Sequence, residues 1–225
     1  MQSGARQTFW RRGSEFTALE WIESNGVNTR SGASCSYIDT GIEAKYGMTA
    51  HFEWQWVRQP TSGSSGFAIM FGGGKYISGT GWKTWAVGTE NNGRIIYNGS
   101  GMSGGGEFQT TKASDGYYIS NGTCGNFNYH STPKNTWFLF AQNESWSQGR
   151  YGSFLLAHFA ILRLRYGNMS LNGGLVHEYV PVERKLDSEV GLLDILTGEF
   201  FGSASKVKFT AGPKKQIHMS EIASL

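Results

Sequence analysis

Residues 50–58, Ala-His-Phe-Glu-Trp-Gln-Trp-Val-Arg, alternate: Phe52, Trp54 and Trp56 fall on one side of an extended chain, His51, Glu53 and Gln55 on the other. A period of two with three large aromatics on one side specifies a half-buried β-strand, since a helix would scatter them around its circumference. The whole chain is composed for such strands. It has 32 Gly, 14% aromatic and only 16% charged residues among 225, where an average domain carries roughly 7% Gly and about 25% charge. Coiled-coil, collagen-like and simply disordered chains do not share that profile, so an all-β fold with one sizeable core is expected.

Other segments read the same way. Residues 67–71 form a short apolar run closed by Gly72, Gly73 and Gly74, and 82–87, 94–97 and 108–112 are short strand candidates between Gly/Asn clusters. Evenly spaced short strands are the pattern of a two-sheet sandwich. Asn121-Gly122, between the strand-like runs 116–120 and 123–124, predicts a tight hairpin, because both central residues of such a turn take positive φ. Residues 153–166 are apolar with late alternation through Arg163 and Arg165 and predict one long strand, followed by a turn at 171–175.

No Pro/Gly linker divides residues 19–213, which read as one domain. Residues 1–18 mix Gln, Ser and Gly with arginines and two aromatics, without a period, and read as an N-terminal arm. In that arm Phe9, Trp10, Arg11 and Arg12 are the candidates for docking onto a partner. Residues 214–225 read as a C-terminal tail whose apolar residues are too sparse for a lone helix.

Lys+Arg 20 against Asp+Glu 17 gives +3, too balanced for an electrostatic nucleic-acid binder. No run approaches the ~18 apolar residues of a membrane helix, so no membrane insertion is expected. The N-terminus has positive charge without an apolar stretch after it, which predicts synthesis in a cytoplasm without a secretory signal. Cys35 and Cys124 form no disulfide framework; a single bridge between them, or two buried free thiols, are both open.

Two stretches carry a family likeness. Glu20-Trp21-Ile22-Glu23-Ser24-Asn25-Gly26 followed by Tyr37-Ile38-Asp39-Thr40-Gly41 resembles the opening of concanavalin A-like, laminin-G-like jelly-roll domains of gut bacteria and their phages. Phe140-Ala141-Gln142-Asn143, Leu175-Val176-His177-Glu178-Tyr179-Val180-Pro181-Val182, Val190-Gly191-Leu192-Leu193-Asp194, Thr197-Gly198-Glu199-Phe200-Phe201-Gly202 and Phe209-Thr210-Ala211-Gly212 are similar to that family's later pieces, in the same order. The chain departs by an insertion at 28–36 and a hairpin lengthened around 166–174, both read as loop changes. The resemblance implies a two-sheet antiparallel jelly-roll sandwich and an association with glycan binding and surface adhesion; a shared fold does not by itself fix a function.

A glycosidase needs two carboxyls flanking the scissile bond, and no strand carries them at alternate positions. Glu53 stands alone between Phe52 and Trp54, so an enzyme is not expected. The five His show no close ligand spacing, and no metal or cofactor is expected. Sugars present apolar CH faces and a ring of hydroxyls, so their sites pair an aromatic ring with amides or carboxylates. The candidates are Trp82, Trp85, Tyr118, Asn126, Asn128, Tyr129 and Trp146, each of which ordinary sheet packing would equally explain. The expected function is that of a non-enzymatic phage virion-surface protein, for decoration, fibre or adhesion, binding a cell-surface glycan. It would meet other virion proteins through its N-terminal arm, as a homo-oligomer or part of a larger assembly. A bacterial extracellular lectin-like module is the alternative and a glycoside hydrolase the second alternative.

Overall fold

The computed structural model describes residues 15–26, 35–58, 67–77, 81–90, 95–98, 108–125, 136–146, 155–159 and 161–215. Among them are seventeen strands in two sheets and no helix. The ten-stranded sheet holds β1 (Phe16–Ala18), β2 (Ile22–Glu23), β4 (Met48–Arg58), β8 (Phe108–Lys112), β9 (Tyr118–Thr123), β13 (Ile161–Leu171), β14 (Gly174–Arg184), β15 (Glu189–Asp194), β16 (Phe200–Phe201) and β17 (Thr210–Ala211). The seven-stranded sheet holds β3 (Ile38–Glu43), β5 (Phe67–Ile77), β6 (Gly81–Glu90), β7 (Ile95–Asn98), β10 (Thr136–Leu139), β11 (Ala141–Trp146) and β12 (Leu155–Phe159). The first sheet runs β16-β15-β14-β13-β4-β9-β8 and the second β12-β11-β5-β10-β3, with β6 on β5 and β7 on β6. Pairing is antiparallel throughout the described residues except for β11, which lies parallel to β5.

The alternation of β4 explains the core. Met48, Ala50, Phe52 and Trp54 are buried while Thr49, His51, Glu53 and Gln55 are not. From the other sheet Phe71, Trp85 and Trp137 meet them: the rings of Phe52 and Phe71 stack at 4.6 Å, and Trp85 packs on Trp137 at 4.6 Å and on Phe108 at 5.3 Å. Buried indoles need a partner for their N–H. Trp54 donates to Ser120 Oγ at 2.9 Å and Trp137 to the Trp85 carbonyl at 3.0 Å. Each such ring buried on folding contributes roughly 1.5–3 kcal/mol.

Several sequence expectations are corrected. Asn121-Gly122 is no hairpin: both lie inside β9, Asn121 opposite His51 and Gln109, Gly122 opposite Ala50 and Phe108. The reversal occurs earlier, at 113–117, where Ala113 N–H donates to the Tyr117 carbonyl at 2.7 Å. The apolar run 153–166 is not one strand, because β12 belongs to one sheet and β13 to the other. Gly72 to Gly74 do not close β5, which continues to Ile77. Gly72 has φ 149°, and a Cβ there would lie 2.3 Å from that of Ala86, so glycine lets the neighbouring strand approach. Phe140 (φ 68°) marks the point where β10 gives way to β11. The lengthened hairpin is strand, not loop: β13 runs to Leu171, and Asn172 (φ 52°) and Gly173 (φ 77°) make the two-residue turn expected near there.

The sheet also reaches into the stretch read as an arm, since Phe16–Ala18 pairs with β14. Leu19 bridges Lys214, and Lys215 N–H donates to the Ala18 carbonyl at 2.9 Å. Ala18–Leu19 and Lys214–Lys215 therefore lie side by side. Of the insertion, residues 27–34 lie outside the described residues; Gly26 bridges Cys35 across them.

The cysteines do not pair. Cys35 sits in a small separate cluster with Phe138 and Ala141, Cys124 in the main core, and both are buried outside any disulfide. Burial pushes both thiols up to about 12, and only a thiolate attacks a disulfide reagent. Native protein at about pH 8 is therefore expected to resist dithionitrobenzoate, with both thiols reacting once denaturant is added. Immediate reaction of the native protein would contradict this burial.

Candidate functional site

Trp85 leaves the set of sugar-facing candidates: it is fully buried between Phe108 and Trp137. Tyr118 also turns toward the core, stacking on Trp54 at 4.7 Å with Lys112 Nζ 5.6 Å over its ring. Asn126, Asn128 and Tyr129 lie outside the described residues, as do Phe9, Trp10, Arg11 and Arg12. Trp82 and Trp146 are the two that the fold brings together. Tyr76 of β5 is opposite Trp82 of β6 and, in the parallel pairing, opposite Trp146 of β11. Trp146, Tyr76 and Trp82 thus occupy one row across three adjacent strands. Trp85, opposite Gly73 and three positions along β6 from Trp82, is buried in the core. Two positions along the same three strands, Glu144, Gly74 and Thr84 are likewise aligned in register.

Tyr76 is not among the sequence candidates, since Gly72, Gly73 and Gly74 before it read as the end of a strand. Extending β5 through them puts Tyr76 in phase with the row.

The outer face of the ten-stranded sheet carries a second constellation, also missed. Its local cause is a bulge in β13: Leu164 lies opposite Trp54 and Tyr166 opposite Glu53, leaving Arg165 as an extra residue. A bulge re-aims side chains, and here Arg165 and Tyr166 both reach the face of His51 and Glu53. Arg165 Nε donates to Glu53 Oε2 at 2.6 Å, and its other arm pairs with Asp115. Its guanidinium lies 4.0 Å over the Tyr117 ring, a cation–π contact that fixes the arginine. His51 holds Asn121 Oδ1 at 2.7 Å through Nδ1 and Glu53 Oε1 at 3.2 Å through Nε2. Tyr166 Oη donates to Glu178 Oε1 at 3.0 Å and accepts from Asn168 Nδ2 at 3.2 Å. On the far side Arg163 stacks over Trp21 at 4.1 Å and donates to Glu23 Oε2 at 2.9 Å.

The electrostatics follow from these contacts. The hydrogen bond from Arg165, aided by the Tyr117 N–H, holds the Asp115 carboxyl below the usual carboxylate range. Burial pushes the Tyr117 phenol up, against the opposing pull of Arg165 and Arg163. Glu53 is not the solitary carboxylate that its sequence context implied, since Arg165 and His51 engage its two oxygens. No group of three or more His, Cys, Asp or Glu side chains that could hold a metal occurs among the described residues, and no helix there is long and apolar enough to cross a membrane.

No protein-family model, no curated protein and no solved structure matches the chain. The site must therefore be argued from its own geometry.

Proposed function

We propose that this chain is a non-catalytic recognition module that binds a glycan across the Trp146–Tyr76–Trp82 row and is displayed on the surface of a phage virion. The observation that carries the reading is that single row. Three aromatic positions on adjacent strands, spaced by the ~4.8 Å of a sheet, span a strip of the width of a pyranose ring or two. The polar positions Glu144 and Thr84 lie two positions along the same strands, matching the alternation of CH faces and hydroxyls along a sugar. The jelly-roll connectivity and the concanavalin A-like kinship belong to this proposal. In this reading the N-terminal arm meets other virion proteins.

The test is titration of neutral oligosaccharides against intrinsic tryptophan fluorescence. Trp82→Ala and Trp146→Ala are each expected to weaken binding about tenfold, the equivalent of ~1.4 kcal/mol per ring, while melting as the parent does. Undiminished binding by both variants would remove the row as the site.

A further inference from the structure

We infer that the turn between β13 and β14 is a self-modification site, at which Asn172 loses its side-chain amide through a cyclic imide and becomes aspartate and isoaspartate. Asparagine is among the chemically labile residues, and a following glycine, without a side chain, obstructs ring closure least. Three Asn-Gly pairs lie wholly among the described residues: Asn25-Gly26, Asn121-Gly122 and Asn172-Gly173. The fold holds two of them and leaves the third open.

The chemistry sets the requirement. The main-chain nitrogen of the glycine gives up its proton to hydroxide and attacks the asparagine Cγ, so the side chain and the intervening peptide must both be able to turn. An N–Cγ bond forms, the Cγ–Nδ2 bond breaks, and ammonia leaves after taking a proton from water. Water then opens the imide at either carbonyl. One opening gives aspartate in the normal chain; the other gives isoaspartate, with the main chain running through the former side chain. Water is the one co-reactant, and nothing is oxidised or reduced.

Two pairs are locked against this. In Asn25 the departing group itself is held, since Nδ2 donates to the Lys208 carbonyl at 2.7 Å and to Thr210 Oγ1 at 2.9 Å, and Gly26 bridges Cys35. Asn121 Oδ1 is held by His51 at 2.7 Å, and Gly122 is buried within β9, between β4 and β8. Freeing the Gly122 nitrogen means parting β9 from its neighbours, and openings of core strands cost nearly as much as global unfolding.

Asn172 and Gly173 are both exposed at the tip of a two-residue turn. Neither the Asn172 amide nor the Gly173 N–H makes a hydrogen bond among the described residues. A Cβ built at Gly173 meets nothing within 4 Å, and Asn172 Oδ1 lies 3.6 Å from one built at Gly47, an ordinary contact that leaves the amide unheld. Both residues have positive φ, 52° and 77°, a region that glycine leaves without steric cost. The tip can therefore reach the reactive geometry by local opening while the sheet beneath it stays paired. Each event replaces a neutral amide by a carboxylate, and isoaspartate also lengthens the main chain between the two strands by one carbon.

The experiment incubates the full chain in mildly alkaline buffer, folded and, in parallel, in guanidinium chloride. Each Asn-Gly pair is followed by peptide mass spectrometry and by isoaspartyl methyltransferase labelling. In denaturant the three pairs should convert at similar rates. In the folded chain Asn172 is expected to convert within about tenfold of its denatured rate, with Asn25 and Asn121 slowed at least about a hundredfold. Aspartate and isoaspartate should both appear at position 172. An Asn172 slowed as much as Asn121 would overturn the site, as would conversion of Asn25 or Asn121 in the folded chain at the rate of Asn172. Aspartate without isoaspartate would overturn the imide route.

Discussion

Gly122→Val is expected to lower the melting midpoint by roughly 6–12 °C, the equivalent of about 3 kcal/mol in a domain of this size. The cause is space, not backbone conformation. Gly122 lies within β9, paired with Ala50 on one side and Phe108 on the other. A Cβ built there would stand 2.5 Å from Phe108 Cδ1, 2.6 Å from Cγ and 2.7 Å from Cε1. Phe108 has nowhere to retreat, because its ring stacks on Trp85 at 5.3 Å and on Trp137 at 5.9 Å. Even one added methyl in such a core costs about 1–3 kcal/mol, and valine adds two more carbons. Gly122→Asn separates this account from that of a turn. Asparagine is tolerated at positive φ, so a turn would accept it nearly unchanged; the packed strand should lose as much with Asn as with Ala. Partial recovery of Gly122→Ala by Phe108→Leu would measure the contact directly, and an unchanged midpoint in the valine variant would refute it.

The two Asn-Gly pairs show what the sequence could and could not convey. Asn172-Gly173 is the turn its composition implies, whereas Asn121-Gly122 is strand. The difference lies in partners from distant parts of the chain: the Phe108 ring covers Gly122, and His51 binds Asn121. A local motif carries no information about either. β4 was legible because its two faces are chemically opposite, so one pattern decides both fold and register. The segment through Phe159 and Ile161 was not, since an apolar strand reads alike whichever sheet it joins. The aromatic row was half legible. Trp82 and Trp146 were visible as candidates, but their meeting through Tyr76 depends on β11 running parallel to β5 after the break at Phe140, which no residue pattern announces. The polar face depends on one bulge, and its only trace is that Tyr166 breaks the alternation of Arg163 and Arg165.

Asp194→Ala is expected to destabilise the protein by about 3–5 kcal/mol, the range for removing one partner of a buried, hydrogen-bonded charge. The Asp194 side chain is fully buried at the end of β15, yet its oxygens are saturated. Oδ2 faces His177 Nδ1 at 2.7 Å, and Oδ1 accepts from the Glu178 N–H at 3.1 Å and the Leu196 N–H at 3.0 Å. The carboxylate therefore ties β14 to the turn before β16. Burial alone would raise this carboxyl, but the hydrogen bonds from His177, Glu178, Leu196 and Thr197 outweigh it and hold it below its ordinary value. A folded-state value below the unfolded one, about 3.9, gives stability that is fully present above that value and lost as pH falls through the folded one. Stability, and with it the melting midpoint, should then fall below about pH 4, the free energy with a slope approaching ~1.4 kcal/mol per pH unit for the Asp194 proton. Asp187, held down to about 2 by its hydrogen bond from Arg184, and Asp115 are lowered in the same direction, but both stand in solvent, where screening leaves them little share of this loss. Asp194→Asn, which keeps one acceptor oxygen, should therefore shallow the acid limb without abolishing it, and should cost less than Asp194→Ala at neutral pH. An acid limb as steep in Asp194→Asn as in the parent would show that this buried carboxylate is not what acid removes.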